Sequence, residues 1–235
     1  MKAVIIAAGM GNRLWEKTDK RPKTLLPYDG GTILSKIIQN LIEAGIDEVL
    51  MVIGYNRIHI EEYLNNEKFA GCKISFIVND EWERGNGLSV HLTRPQTDGE
   101  AFILSMADHI VPVSALKRII QSQKTANLLL VDPKVDTIFD IDDATKVKIE
   151  DDNIVNIGKE IEEYNHIDCG IFRLTNRFYE AMERALEKGE ESISAAVNQL
   201  VADNDMKAVF LEDHENWIDI DTPEAYKHAL EKINK

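Results

Sequence analysis

The chain has 235 residues, 44% of them hydrophobic, with two cysteines and a formal net charge of −14. That length can bury a sizeable core and is expected to form one domain over residues 1–235. The acidity argues against a nucleic-acid partner, which needs a basic stripe; no apolar run reaches the length of a membrane span; Cys72 and Cys169, far apart and outside any CxxC spacing, argue against a disulfide framework and fit a reducing compartment.

Lys2-Ala3-Val4-Ile5-Ile6 predicts a short buried strand. It is too brief for the apolar core of a signal peptide, so a cytoplasmic location is expected. The strand empties into Ala7-Ala8-Gly9-Met10-Gly11-Asn12-Arg13, and Pro22-Lys23 follows. Small residues let backbone N–H groups approach an anion, and the two cations neutralise it. A polyphosphate needs all of these at once. This is not a Walker loop, because Asn12-Arg13 stands where Lys-Ser/Thr belongs. Nor is it a dinucleotide fingerprint, because Leu14 takes the third glycine position.

Residues 32–44 carry Ile33, Leu34, Ile37, Ile38, Leu41 and Ile42 on one helical face, with Thr32 as N-cap and Gly45 as stop. Val49–Ile53 is a continuous apolar strand of the kind buried in a parallel sheet. A short helix at 58–64, a strand at 73–78, a helix through 88–92, a strand at 101–106, a helix at 114–123 and a strand at 128–131 follow. This alternation predicts a doubly wound α/β core.

The pattern changes after Asp132. Residues 145–149 and 154–157 alternate around Asp151-Asp152-Asn153, which predicts a β-hairpin. A strand at 167–174, helices at 177–188 and 192–202, a strand at 208–211 and a helix opened by Thr222-Pro223 complete the chain. The hairpin region, roughly 133–175, is read as a lid over the strand ends.

Two carboxylate groups stand out. Asp108 follows a predicted strand, at the end where open α/β sheets bind ligands; the lesser alternative is that it caps the next helix. Asp219 and Asp221 alternate on an extended segment and so face one side, and Asp221 is also a candidate cap. His109 reads as structural or solvated more readily than as a ligand.

With Arg13 and Lys23 in place, the N-terminal segment resembles the signature loop of the nucleotidyltransferases that activate sugar phosphates and related alcohols (Ala-Ala-Gly-x-Gly-x-Arg, then Pro-Lys). The resemblance implies that Ala7, Ala8, Gly9, Gly11, Asn12, Arg13 and Lys23 wrap the triphosphate of an NTP. Arg13 would hold the departing phosphates and Lys23 the α-phosphate. It implies Mg²⁺ on Asp108, Asp219 and Asp221, since Mg²⁺ favours hard oxygens and few protein carboxylates. It also implies a base wall at Gly87-Leu88-Ser89, with Asn79, Asn86 and Gly87 reading a pyrimidine edge. Ser89, where the family has alanine, favours the cytidylyl branch.

Residues 143–147, Ile157-Gly158-Lys159 and Tyr164–Phe172 resemble the CTP:inositol-1-phosphate cytidylyltransferases, and Met106-Ala107-Asp108-His109 agrees. Cys169 departs from the threonine common before the glycine. The similarity spans essentially the whole chain. It implies a doubly wound, mostly parallel, Rossmann-like nucleotidyltransferase fold with a β-hairpin lid. It further implies Mg-dependent transfer of CMP from CTP to a small phospho-alcohol, inositol 1-phosphate, giving CDP-inositol for phospholipid biosynthesis. Lys159 and Lys146 would hold the acceptor phosphate, and Asp168 would meet acceptor hydroxyls.

A phosphate monoester is already a nucleophile, so positioning and charge neutralisation suffice. The rivals are the same chemistry on a phosphonate, phosphocholine or sugar 1-phosphate, and a nucleotide sensor without turnover. Oligomeric state is not legible, and a homodimer is left open.

Overall fold

The computed structural model describes residues 1–14 and 21–233. In chain order the first elements are β1 (Lys2–Ala7), β2 (Pro27–Tyr28), β3 (Gly31–Thr32), α1 (Ile33–Glu43) and β4 (Glu48–Ile53). Then come α2 (Arg57–Asn66), β5 (Lys73–Val78), α3 (Asn86–His91), α4 (Arg94–Thr97), β6 (Phe102–Met106), β7 (His109–Ile110) and α5 (Val113–Gln121). The second half holds β8 (Asn127–Asp132), β9 (Lys146–Glu150), β10 (Asn153–Gly158) and β11 (His166–Leu174). It ends with α6 (Arg177–Glu187), α7 (Ile193–Ala202), β12 (Met206–Phe210), β13 (Ile218–Asp219) and α8 (Pro223–Ile233).

Local chemistry accounts for these boundaries. Thr32 Oγ1 accepts from Ser35 N at 3.1 Å, and Ser35 Oγ accepts from Thr32 N at 2.8 Å, so α1 starts on a reciprocal cap. It stops where Gly45 turns to φ +102°. Ser192 and Thr222 cap α7 and α8 one-sidedly, accepting from Ala195 N and Ala225 N. Val49–Ile53 in β4 is buried throughout, as a continuous apolar run requires.

Nine strands form one sheet in the order β5-β4-β1-β6-β11-β8-β12-β10-β9. β5, β4, β1 and β6 are mutually parallel, as are β8 and β12. β11 runs antiparallel between β6 and β8. The doubly wound α/β core is therefore present, but its sheet is mixed rather than mostly parallel. The reason is connectivity. The crossover from β6 through α5 leaves a gap before β8, and the chain fills it on return from the β9–β10 hairpin, without a crossover helix of its own.

The hairpin forms where expected, turning at Asp151 with φ +51°. Its Val147, Ile149, Ile154 and Ile157 are buried against Leu129, Val131 and the α6–α7 layer. β9 also pairs with β11, and β10 touches β12, so the hairpin is woven into the sheet. The irregular segments 133–145 and 159–165 are the main parts of the expected lid that lie outside the strands. Among the described residues no helix is long and apolar enough to cross a membrane.

The 212–217 loop is fastened by one buried carboxylate. Glu215, 3% exposed, accepts from Arg118 Nη1 at 2.8 Å, Arg118 Nη2 at 2.9 Å and Glu212 N at 2.9 Å. Burial raises the Glu215 pKa, but these donors outweigh it and bring it down to about 2. A carboxyl depressed in the folded state stabilises fully above its unfolded pKa and loses that contribution as pH falls toward 2. Glu215→Gln should lower stability by on the order of 2 kcal/mol at neutral pH. It should also flatten the acid limb of the stability curve between pH 4.5 and 2, read by urea melts at stepped pH.

Candidate active site

The carboxyl ends of β1 and β6 deliver the site. After β1 the chain turns through Gly9 and Gly11; Gly11 sits at φ +63°, and a Cβ there would lie 3.2 Å from the Lys23 methylenes. Glycine thus admits both the turn and the lysine stem. After β6, Asp108 is followed by β7, which pairs antiparallel with β13 and sets Asp219 opposite His109.

An alternating line of charge runs across the site. Lys23 Nζ lies 2.6 Å from Asp108 Oδ2 and also donates to Asp221 Oδ1. Arg13 Nη2 donates to Asp221 Oδ2 at 2.5 Å, and its Nη1 donates to Asp143 Oδ2 at 2.7 Å. Lys159 Nζ closes the line on Asp143 Oδ1 at 2.6 Å. Burial works against the Lys23 charge, but Asp108 and Asp221 outweigh it and hold its pKa above the ordinary lysine value. Burial likewise opposes ionisation of Asp108, yet Lys23 and His109 keep its pKa well below the carboxylate range.

Two clefts meet along this line. The first, about 470 Å³, is lined by Ala7, Ala8, Gly9, Gly11, Arg13, Lys23, Ser89 and Asp108. The second, about 260 Å³, is lined by Asp143, Lys159, Asp168, Asp219 and Trp217 among others. Asn86, Met106, Asp108 and Asp221 line both. Burial raises the Asp168 pKa to about 6, countered in part by the Gly170 N–H that donates to Oδ1 at 2.7 Å.

Some expected site residues stand behind the walls. Asn79 is 3% exposed; its Nδ2 donates to Ser89 Oγ at 2.9 Å and its Oδ1 accepts from Glu81 N. Gly87 donates its N–H to the Glu191 carbonyl, and Met182 and Glu191 leave no room for a Cβ. Asn86 lines the clefts, but its Oδ1 accepts from Ile193 N at 2.9 Å. Lys146 Nζ donates to the Lys159 carbonyl at 2.8 Å and lies over the Tyr164 ring, so it braces Lys159 and lines neither cleft. The side chain of Asn12 lies outside the described residues.

Other residues enter that the sequence did not flag as site residues. Trp82 and Arg84 line the first cleft; Trp82 packs on Tyr55 with ring centroids 5.0 Å apart, and Arg84 is held by Glu81 and Glu191. Asp143, part of a recognised motif, had no assigned role. An aromatic and an arginine just before Asn86-Gly87 were the available signal.

The groups able to hold a metal differ from the expected trio. Asp108, His109 and Asp219 each offer a ligand atom within 4.8 Å of the others. Asp219 Oδ1 is buried without a hydrogen bond, whereas the Asp221 carboxylate is taken by Lys23 and Arg13. Burial raises the Asp219 pKa; His109 opposes this and Asp108 adds to it, leaving it at about 7. His109, stacked on Trp217 with centroids 5.3 Å apart, donates from Nδ1 to Asp108 Oδ1 at 2.6 Å. Burial lowers its pKa, but Asp219 and Asp108 carry it up to about 9; as a cation it has no lone pair for a metal, which leaves the two carboxylates as the donors.

Residues 3–200 match the model of the MobA-like NTP transferase domain. The chain belongs to the MobA-like NTP transferase family. The fold agrees. The inositol-1-phosphate CTP transferase from T. maritima superposes with a TM-score of 0.85 at 28% identity, covering 100% of this chain and 96% of that one. The bifunctional IPC transferase and DIPP synthase of Thermococcus kodakarensis is 30% identical over 97% of this chain and 49% of its own length. The protein of the same description from Aquifex aeolicus is 30% identical over 99% and 52%. The chain thus spans about half the length of these curated relatives.

Proposed function

We propose that this nucleotidyltransferase moves CMP from CTP to inositol 1-phosphate, releasing pyrophosphate and CDP-inositol. The observation that carries this reading is the shared wall at Asp108 and Asp221, with Arg13 and Lys23 on one side and Lys159 on the other. Two anionic substrates set in those clefts meet at the carboxylates. The relatives named for IPC transfer and for inositol-1-phosphate CTP transfer supply the nucleotide and the acceptor. We place the reaction in the cytoplasm, a reducing compartment that suits the free Cys72 and Cys169.

In this mechanism Arg13 holds the β- and γ-phosphates that leave as pyrophosphate. Lys23 faces the α-phosphoryl group and stabilises the charge that builds there. Lys159 aligns the acceptor phosphate for in-line attack. No general base is needed, because the acceptor oxygen is already ionised near neutral pH. Asp108 and Asp219 fit a hard divalent cation: their donors are carboxylate oxygens, and the buried Asp219 Oδ1 has no hydrogen bond. Mg²⁺ held there would neutralise charge on the phosphates of both substrates. Trp82 and Ser89 flank the base, with Asn79 orienting the Ser89 hydroxyl.

A second reading changes the acceptor. The CMP-5'-(3-aminopropyl)phosphonate synthase of Streptomyces rubellomurinus is 37% identical over 51% of this chain. Purified protein with CTP and Mg²⁺ is offered inositol 1-phosphate, aminoalkyl phosphonates, phosphocholine and hexose 1-phosphates, with pyrophosphate as the readout. Inositol 1-phosphate should exceed the others in kcat/KM by at least about 100-fold, as expected of a site whose carboxylates hydrogen-bond hydroxyls. A phosphonate optimum moves the assignment to the second reading. Tight CTP binding with no pyrophosphate from any acceptor would leave a sensor.

Lys159→Ala should raise the acceptor KM by about 10- to 100-fold, the worth of one charge-assisted hydrogen bond. At saturating acceptor the KM for CTP should stay within about twofold by the same measure, since Lys159 lines only the second cleft. An equal rise in both KM values would take Lys159 away from the acceptor.

A further inference from the structure

The Asp143 carboxylate is shared between the two clefts. Its Oδ2 accepts from Arg13 and its Oδ1 is paired with Lys159, at 2.7 Å and 2.6 Å. These cations come from the N-terminal loop and from the residue just after β10, far apart in sequence. Asp143 itself sits at the end of the irregular loop 133–145, whose Phe139 stacks on His228 of α8 with centroids 5.0 Å apart. With neither substrate present, one loop carboxylate therefore occupies the cation of each.

We propose that Asp143 couples the two substrate sites, so that nucleotide entry frees Lys159 for the acceptor and acceptor entry frees Arg13 for the nucleotide. This rests on the reading above, in which Arg13 takes the triphosphate and Lys159 the acceptor phosphate. A triphosphate at Arg13 removes one of the two partners of Asp143. It also sets several negative charges beside that carboxylate, which displaces it from the junction by like-charge repulsion. Lys159 then has no carboxylate to release when the acceptor phosphate arrives. The first anion to bind bears the displacement, and the second does not. Linkage makes the effect reciprocal. The contacts are half exposed, so the coupling is modest: about fivefold to tenfold in each dissociation constant. Asp143 is thus a positioning residue, acting through the two cations.

The test is calorimetric titration of the full chain with Mg²⁺, α,β-methylene-CTP, which cannot transfer, and inositol 1-phosphate, each with and without the other. In the wild type each ligand should tighten the other by about fivefold to tenfold. Asp143→Asn should bind each ligand alone as tightly as the wild type or more tightly, with the mutual effect close to one. Asp143→Glu, which keeps the charge, should retain the coupling. A merely structural residue would behave differently: its loss would weaken both ligands and leave their ratio intact. That pattern, or an Asn variant with wild-type coupling, overturns the proposal. Two ligands that bind the wild type independently overturn the coupling and leave the assigned reaction standing. Failure of either ligand to bind the wild type overturns both.

Discussion

Lys23→Ala should lower kcat/KM by about 10³ while the fold survives. Lys23 is the most enclosed cation of the charge line, with a side chain 14% exposed between Asp108 and Asp221. An ammonium in that setting acts in a low dielectric and needs no reorganisation as charge builds on the α-phosphoryl group. The backbone turn at 23–25 does not depend on the side chain, because the Leu26 N–H donates to the Lys23 carbonyl at 3.0 Å. Removing the cation leaves Asp108 and Asp221 facing each other, at a cost of about 2 kcal/mol in a cleft that water can enter. Pyrophosphate release and circular dichroism of the same preparation separate the two effects. A folded variant with near-native turnover would remove Lys23 from the mechanism.

Asp108→Asn should cost a comparable factor, about 10³ in turnover, through a different route. Asp108 lines both clefts and bonds Lys23 through one oxygen and His109 through the other. The amide keeps the volume and removes the charge that a divalent cation needs. One consequence separates it from Lys23→Ala. The Mg²⁺ concentration for half-maximal rate should rise at least about tenfold, one lost carboxylate ligand being the cause. Stability at neutral pH should fall, as for Lys23→Ala, since Lys23 and His109 hold the Asp108 pKa well below the carboxylate range and the amide gives up both ion pairs. A variant with an unchanged Mg²⁺ requirement would move the metal away from Asp108.

The legible part of the fold is the part set by local chemistry. The first four parallel strands announced themselves as apolar runs between helices, and Thr32 and Thr222 marked the starts of their helices, each with a side-chain cap. Direction is another matter. The run His166–Leu174 is equally apolar read either way, so its antiparallel insertion between β6 and β8 depends on which gap the crossover left open. The β7–β13 pair is only two residues long on each side, too short for any periodicity, yet it brings Asp219 to His109.

The site divides along the same line. Gly9, Gly11, Arg13 and Lys23 lie on the N-terminal loop, Asp108 follows β6 and Asp221 precedes α8; they line one cleft, as the family resemblance implied. Asn86 and Gly87 looked like base readers because an Asn-Gly pair opens a helix. Their polar groups instead secure the start of α7, at Ile193 N and the Glu191 carbonyl, more than a hundred residues downstream. No local pattern records such a partner. Lys146 shows the limit of a two-residue alternation: it lies one strand away from Lys159 and bonds that residue's backbone.

The central claim is that the N-terminal turn grips a triphosphate beside carboxylates that also border the acceptor cleft. A crystal of the protein soaked with CTP and Mg²⁺ tests it most directly. The phosphates should lie along Gly9–Arg13 and against Lys23, with density for the metal touching Asp108. Nucleotide bound in the second cleft or on another face, with Arg13 and Lys23 still paired to Asp221, would contradict it.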